Sequence, residues 1–163
     1  MNMFAKDIKF IKFKMANIQE EVEDKIIDWI ALDTGGRLIA IKPEGGADLI
    51  VQKKGGHGGK EILFKVEAFI SAQEEKDLKK GIDLSEVKVK GNFYFLIVVF
   101  SEVKQAVSEK IWLVPSSEMS SQFDSEKYSK FLTDKKKLIS FLIQNLILEN
   151  KPKPHAGFKR KVC

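Results

Sequence analysis

The stretch EILFKVEAF (residues 61–69) decides the fold, because its apolar residues predict a β-strand that is buried on both faces. Alternate side chains of a strand share a face, so the even-numbered residues from Ile62 to Ala68 form one apolar side. Lys65 and Glu67 project together on the other side. A charged pair within an interior strand costs free energy unless it lies at a cleft or has polar partners, so this pair marks a candidate site.

The residues before this strand predict a helix followed by an antiparallel meander. Residues 18–33 carry isoleucine and valine at helical spacing, and the sequence TGG at 34–36 ends the helix. The segments RLIAIK (37–42) and DLIVQKK (48–54) indicate two strands, which the turn PEGGA separates. We therefore expect a three-stranded meander over 37–69, packed against the helix.

The residues after this strand predict a wider sheet and a second helix. The polar segment 71–81 fits a short helix or a loop, whereas FYFLIVVF (93–100) has the composition of a strand inside the sheet. KIWLVP (110–115) predicts the neighbour of that strand. Residues 134–149 predict a final helix that is apolar over most of its circumference, a surplus that suits a homodimer interface.

The length and composition of the chain are typical of one globular domain. The chain has 163 residues, of which 44% are apolar and 31% are charged. Its one cysteine, Cys163, excludes an intramolecular disulfide and favours a reducing, cytoplasmic setting. The apolar stretches are shorter than the ~20 residues that a membrane-spanning helix needs, so we expect no membrane segment.

The positive charge of the chain is concentrated at its two ends. The net charge is +5, and the N-terminal segment 1–17 contributes +3 while the C-terminal segment 151–163 contributes +5. The body over 18–150 is therefore at −3, and we expect it to form a single domain. The C-terminal segment predicts a disordered basic tail that either solubilises the protein or adds nonspecific phosphate contacts. Its candidate substrate-binding residues are Lys159, Arg160 and Lys161.

Asp48 opens the strand before the charged pair, so a hairpin would bring its carboxylate near Lys65 and Glu67. Two carboxylates and an ammonium in one place suit phosphodiester hydrolysis. Carboxylate oxygens hold Mg²⁺ or Mn²⁺, and the metal and lysine stabilise negative charge on the phosphate. The alternative is an ordinary cross-strand charge pair, with Asp48 only capping a turn.

These residues resemble the PD-(D/E)xK nuclease superfamily, which has the restriction-endonuclease-like fold. PEGGADLIV followed by EILFKVEAF is similar to the family's Asp at the start of the second strand and its Glu-x-Lys on the third. The resemblance covers roughly residues 18 to 115 and rests on a short motif. It implies an α/β fold with a central mixed sheet of about five strands flanked by helices, and a nuclease that cleaves DNA or RNA with Mg²⁺ or Mn²⁺.

The sequence departs from the family in the order of its charged pair. Lys65 and Glu67 form Lys-x-Glu, where the family has Glu-x-Lys. Both side chains stay on one face because they remain two residues apart. Two hypotheses follow: Asp48 and Glu67 hold the metal while Lys65 acts on the phosphate, or the fold has lost its chemistry and serves as a module for nucleic-acid or protein binding.

Three further residues are candidates under the nuclease hypothesis. Glu21 and Asp24 lie on the predicted helix, where the family often carries another carboxylate, so they are candidate metal or water ligands. Acids of this kind also solvate the exposed face of a helix without any further role. Gln73, six residues beyond Glu67, is a candidate substrate contact.

Deletion of residues 151–163 tests the predicted role of the basic tail. We expect the deletion to flatten the salt dependence of nucleic-acid binding, because fewer counterions are released, while the melting temperature stays nearly unchanged. Fluorescence anisotropy across a salt series and thermal unfolding measure the two quantities. Loss of folding on deletion would show instead that the tail is structural.

Overall fold

The computed structural model describes residues 2–56, 59–71, 78–85 and 91–148, with side chains described from residue 14 onward. It contains two α-helices, eight β-strands and two 3₁₀ turns at Ser116–Glu118 and Ser129–Phe131. In chain order the elements are α1 (Asn2–Asp33), β1 (Leu38–Ile41), β2 (Leu49–Lys53), β3 (Glu61–Ser71), β4 (Lys79–Gly81), β5 (Phe93–Ser101), β6 (Ala106–Pro115), β7 (Gln122–Asp124), β8 (Leu132–Asp134) and α2 (Lys135–Leu146).

Six of the strands form a mixed central sheet in the order β1-β2-β3-β5-β6-β8. The first three strands make the predicted antiparallel meander, and β5 runs parallel to β3 and antiparallel to β6. The α/β class and the interior position of residues 93–100 are therefore confirmed. The sheet has six strands rather than about five, because the short strand β8 pairs with β6.

Helix α1 begins at Asn2, and the helix predicted over residues 18–33 is its C-terminal half. The division of the chain at residues 17 and 18 stays a prediction. The helix ends where the sequence predicts, because Gly35 and Gly36 adopt φ values of 62° and 79° and the amide of Gly36 bonds the carbonyl of Ala31. Within the described residues, no helix combines the length and apolar character that crossing a membrane requires.

Both described helices pack on one face of the sheet. The buried side of α1, including Val22 and Ile26, meets even-numbered residues of β3 such as Phe64. Helix α2 ends at Leu146 rather than at residue 149, and its first turn is capped by the Asp134 carboxylate, which accepts from the Lys137 amide at 2.9 Å. Four apolar side chains of α2 are buried within the chain's own core: Leu138, Ile139, Leu142 and Leu146. A homodimer through this helix stays a prediction.

The opposite face of the sheet is covered by a second, two-stranded sheet of β4 and β7. The segment 71–81, which the sequence assigns to a helix or a loop, therefore contains a strand. The layer between the two sheets is aromatic, with Phe123 in edge contact with Phe69 and Trp112 and stacked on Tyr128. Within the described residues, both α-helices lie on the other face of the central sheet.

Thr34 links α1 to β1, and its replacement tests this connection. Its buried hydroxyl donates to the carbonyl of Ile30 at 2.6 Å and accepts from the amide of Leu38 at 3.1 Å. Thr34→Val leaves that amide without its partner, so we expect a loss of roughly 1–3 kcal/mol in the free energy of unfolding. Denaturant unfolding measures the loss, with Thr133→Val on edge strand β8 as the control. Equal effects of the two substitutions would contradict the connecting role.

Candidate functional site

The candidate site lies where β2 begins and leaves part of β3 uncovered. Strand β2 pairs with β3 from Glu61 to Phe64, whereas β3 continues to Ser71. Beyond Phe64, the amides and carbonyls of the even-numbered residues point toward the β2 side of β3, where β2 does not extend to pair with them. We call this edge of β3, residues 65–68, the β3 notch.

Three side chains supply the backbone hydrogen bonds of the β3 notch. The Val66 amide donates to Asp48 Oδ2 at 2.8 Å, and the Val66 carbonyl accepts from Gln19 Nε2 at 2.7 Å. The Ala68 amide donates to Gln19 Oε1 at 3.2 Å, and the Ala68 carbonyl accepts from Lys80 Nζ at 3.1 Å. Because partly buried backbone groups need partners, these contacts draw polar residues from α1, the turn before β2, and β4 to one place.

Asp48 and Lys65 meet as the sequence predicts. Asp48 directly precedes β2, and its amide donates to the Phe64 carbonyl at 2.8 Å. Because Leu49 pairs with Phe64, the same register places Asp48 opposite Lys65. The distance between Lys65 Nζ and Asp48 Oδ1 is 3.8 Å, and both side chains are about one quarter exposed. The Lys65 ammonium also contributes to a lowered pKa of Asp83, which arises chiefly from hydrogen bonds with Ser85.

Glu67 lies on the same face of β3 as Lys65 but has a different partner. Its Oε1 is 3.3 Å from Lys80 Nζ, and that ammonium also lies 5.3 Å from the centre of the Phe69 ring. The Glu67 side chain is 15% exposed, so its carboxylate side of the ion pair is mostly shielded from water. The proposed role of Glu67 as a metal ligand stays a prediction.

Glu23 is a carboxylate of the site that the sequence reasoning missed. Its Oε2 accepts from Gln19 Nε2 at 2.8 Å, and Lys42 Nζ lies 3.7 Å from its Oε1. Burial raises the pKa of the Glu23 carboxyl, the Gln19 hydrogen bond opposes the rise, and repulsion from Asp48 adds to it. A second acid therefore stands within electrostatic reach of Asp48. The sequence offers one sign of this role: Glu23 directly follows the buried Val22 and lies four residues after Gln19, a spacing that brings two side chains together on a helix.

Of the other predicted site residues, Asp24 and Glu21 lie on the exposed surface of α1, and the rest lie outside the described residues. Asp24 is largely exposed and bonds Lys42 at 2.9 Å, and Glu21 is exposed on α1. Their roles as ligands stay predictions. The candidate substrate contacts outside the described residues are Gln73, Lys159, Arg160 and Lys161.

The donor chemistry of the β3 notch is compatible with a divalent cation. Among the described residues, no group of three or more His, Cys, Asp and Glu side chains is placed to hold a metal. Mg²⁺, however, commonly takes only one or two protein carboxylates and completes its shell with water and substrate phosphate. Asp48 and Glu23 meet that smaller requirement in number, and a cation bound by both would relieve their repulsion.

Comparison with known proteins does not assign this site. No protein-family model, curated protein or solved structure matches the chain. The geometry of the β3 notch is therefore the basis for assigning a function.

The raised pKa of Glu23 predicts that Glu23→Gln stabilises the fold. A folded-state pKa above the unfolded value means that stability is greatest below the unfolded pKa and falls as the pH rises through the folded pKa. The amide of Glu23→Gln carries no charge, so this loss of stability does not occur, and its oxygen can still accept the hydrogen bond from Gln19. We expect a higher melting temperature than wild type at pH 7 without metal, and a difference that shrinks as the pH falls below 4.5, the ordinary pKa of a glutamate side chain. A lower melting temperature at pH 7 would contradict the pKa assignment.

Proposed function

We propose that the chain is a divalent-metal-dependent nuclease with a restriction-endonuclease-like core, which hydrolyses phosphodiester bonds in DNA or RNA. One observation carries the proposal: Asp48, directly before β2, meets Lys65 on β3. The Glu23 carboxylate lies within electrostatic reach of Asp48. Two carboxylates and an ammonium of this kind are the protein groups that metal-assisted phosphodiester hydrolysis uses.

The topology supports the same proposal. A helix, an antiparallel meander and a strand parallel to the third meander strand follow one another along the chain. The core that the resemblance implies also begins with a helix and a three-stranded meander, and this shared order supports the proposal. That core continues with a helix, whereas the described part of the chain between β3 and β5 contains β4. The additional strand β8 and the β4–β7 sheet lie outside that core.

The protein groups have separate roles under this proposal. Asp48 and Glu23 would hold Mg²⁺ or Mn²⁺, which when bound supplies positive charge and makes a water molecule more acidic. Val66 holds Asp48 through its amide and fixes the direction of the carboxylate. Lys65 donates to the phosphate and stabilises the negative charge that develops on its oxygens.

A second function is favoured by the ion pairs of the site. Each of the three carboxylates has a lysine nearby: Lys65 for Asp48, Lys80 for Glu67 and Lys42 for Glu23, the last shared with Asp24. Buried carboxylates are commonly paired in this way in a purely structural network. This pairing and the reversed order of Lys65 and Glu67 favour a non-catalytic nuclease-fold module that binds nucleic acid or protein.

Cleavage assays with single substitutions decide between the two functions. We expect Mg²⁺- or Mn²⁺-dependent cleavage of single- or double-stranded DNA or RNA, which Asp48→Asn and Glu23→Gln abolish while the chain stays folded. Lys65→Ala should lower turnover by about a hundredfold with metal affinity retained, because lysine acts on the phosphate. Glu67→Gln tests the metal ligand that the sequence predicts. Asp33→Asn, which changes a lysine-paired acid at the far end of α1, is the control.

Two results would overturn the nuclease proposal in favour of the binding module. One is the absence of cleavage on every substrate tested. The other is calorimetry that detects no divalent-cation binding removed by Asp48→Asn. A loss of cleavage with Glu67→Gln but not with Glu23→Gln would assign the second metal ligand to Glu67.

A further inference from the structure

Lys80 reaches the β3 notch from outside the β2–β3 hairpin. It lies on β4, opposite Phe123 of β7, in the small sheet that covers the aromatic face. Its ammonium is 3.3 Å from Glu67 Oε1 and donates to the Ala68 carbonyl at 3.1 Å. The Phe69 ring, 5.3 Å away, supports the stem and charge. Three contacts, with a carbonyl, a carboxylate and a ring, therefore fix the position of this ammonium.

The fixed ammonium of Lys80 retains capacity to bind an anion. A lysine ammonium has three N–H donors, and the two oxygen contacts of Lys80 account for two of them. The side chain is 32% exposed, so solvent and ligands reach part of it. The Lys80 ammonium can therefore donate a charge-assisted hydrogen bond to a phosphate oxygen.

Lys65 offers a second ammonium on the same face of β3. It lies two residues before Glu67, and its 3.8 Å separation from Asp48 Oδ1 is longer than a hydrogen bond. The side chain is 27% exposed. Two partly exposed ammonium groups therefore lie on either side of Glu67 along the strand.

We propose that Lys80 is a second phosphate-binding residue of the site, and that Lys65 and Lys80 together bind the sugar-phosphate backbone of a nucleic-acid strand along the β3 notch. The inference rests on the nucleic-acid substrate of the proposed function and is independent of cleavage. It places part of the binding charge in the body of the domain, whose net charge over 18–150 is −3.

A purely structural role for Lys80 predicts different behaviour. If Lys80 serves only to neutralise Glu67, removal of both charges leaves nucleic-acid binding as it was. If Lys80 contacts phosphate, its loss removes one released counterion whether or not Glu67 is charged. Glu67→Gln alone should then strengthen binding, because the carboxylate no longer competes with phosphate for the ammonium.

The experiment measures binding of a fluorescein-labelled single-stranded oligodeoxynucleotide, and of its duplex, by fluorescence anisotropy in EDTA with the full chain. We expect Lys80→Met to weaken binding about fivefold near 0.1 M salt and to reduce the slope of log affinity against log salt by about 0.7–0.9. Lys80→Arg should keep most of the affinity. Lys135→Met is the matched control, because Lys135 also bridges carboxylates, lies over the Trp29 ring and is 26% exposed.

The double variant Glu67→Gln, Lys80→Met separates the two roles. A slope that stays reduced in the double variant supports phosphate contact, and a slope that returns to the wild-type value overturns it. The inference also fails if Lys80→Met changes binding no more than Lys135→Met, or if the wild type binds neither oligonucleotide. Binding that depends on Lys80 without any cleavage in Mg²⁺ supports this inference while refuting the nuclease proposal.

Discussion

The hydrogen-bonding edge of β3 beyond Phe64 is the constraint on which the rest of the site depends. Strand β2 begins at Leu49 opposite Phe64, so it does not pair with Val66 and Ala68, although both residues are buried. Their amides and carbonyls need partners, because an unpaired polar group in a buried strand costs free energy. Side chains provide those partners, and three separate parts of the chain are thereby held at one point.

The same contacts explain why a strand of mainly apolar residues carries charges. Lys65 and Glu67 lie beside the uncovered edge, where each finds an opposite charge and some exposure to water. The acids and lysines thus satisfy backbone groups and one another, and the site is preorganised by the fold. Burial raises the pKa of the Glu23 carboxyl, so its charged form costs folding free energy, and such a cost is typical of residues kept for function.

The alternation within residues 61–69 was sufficient to predict β3, its two faces and the meeting of Asp48 with Lys65, since strand periodicity and hairpin register are local. Glu23 and Lys80 were not predictable in the same way. Gln19 and Val66 are separated by 47 residues, and their contact depends on the rotation of α1 over the sheet. Strand β4 has the sequence KKG, with no apolar alternation, and pairing with β7 alone makes it a strand.

Under the nuclease proposal, Asp48 and Glu23 share one divalent cation. Crystals grown with Mn²⁺ and measured at the manganese absorption edge test this sharing without reference to any substrate. We expect an anomalous difference peak between the carboxylates of Asp48 and Glu23, with oxygen distances typical of metal ligation, and its loss in Asp48→Asn crystals. A shared cation would be contradicted if crystals in saturating Mn²⁺ showed no anomalous peak at these carboxylates and the Lys65 ammonium still paired with Asp48.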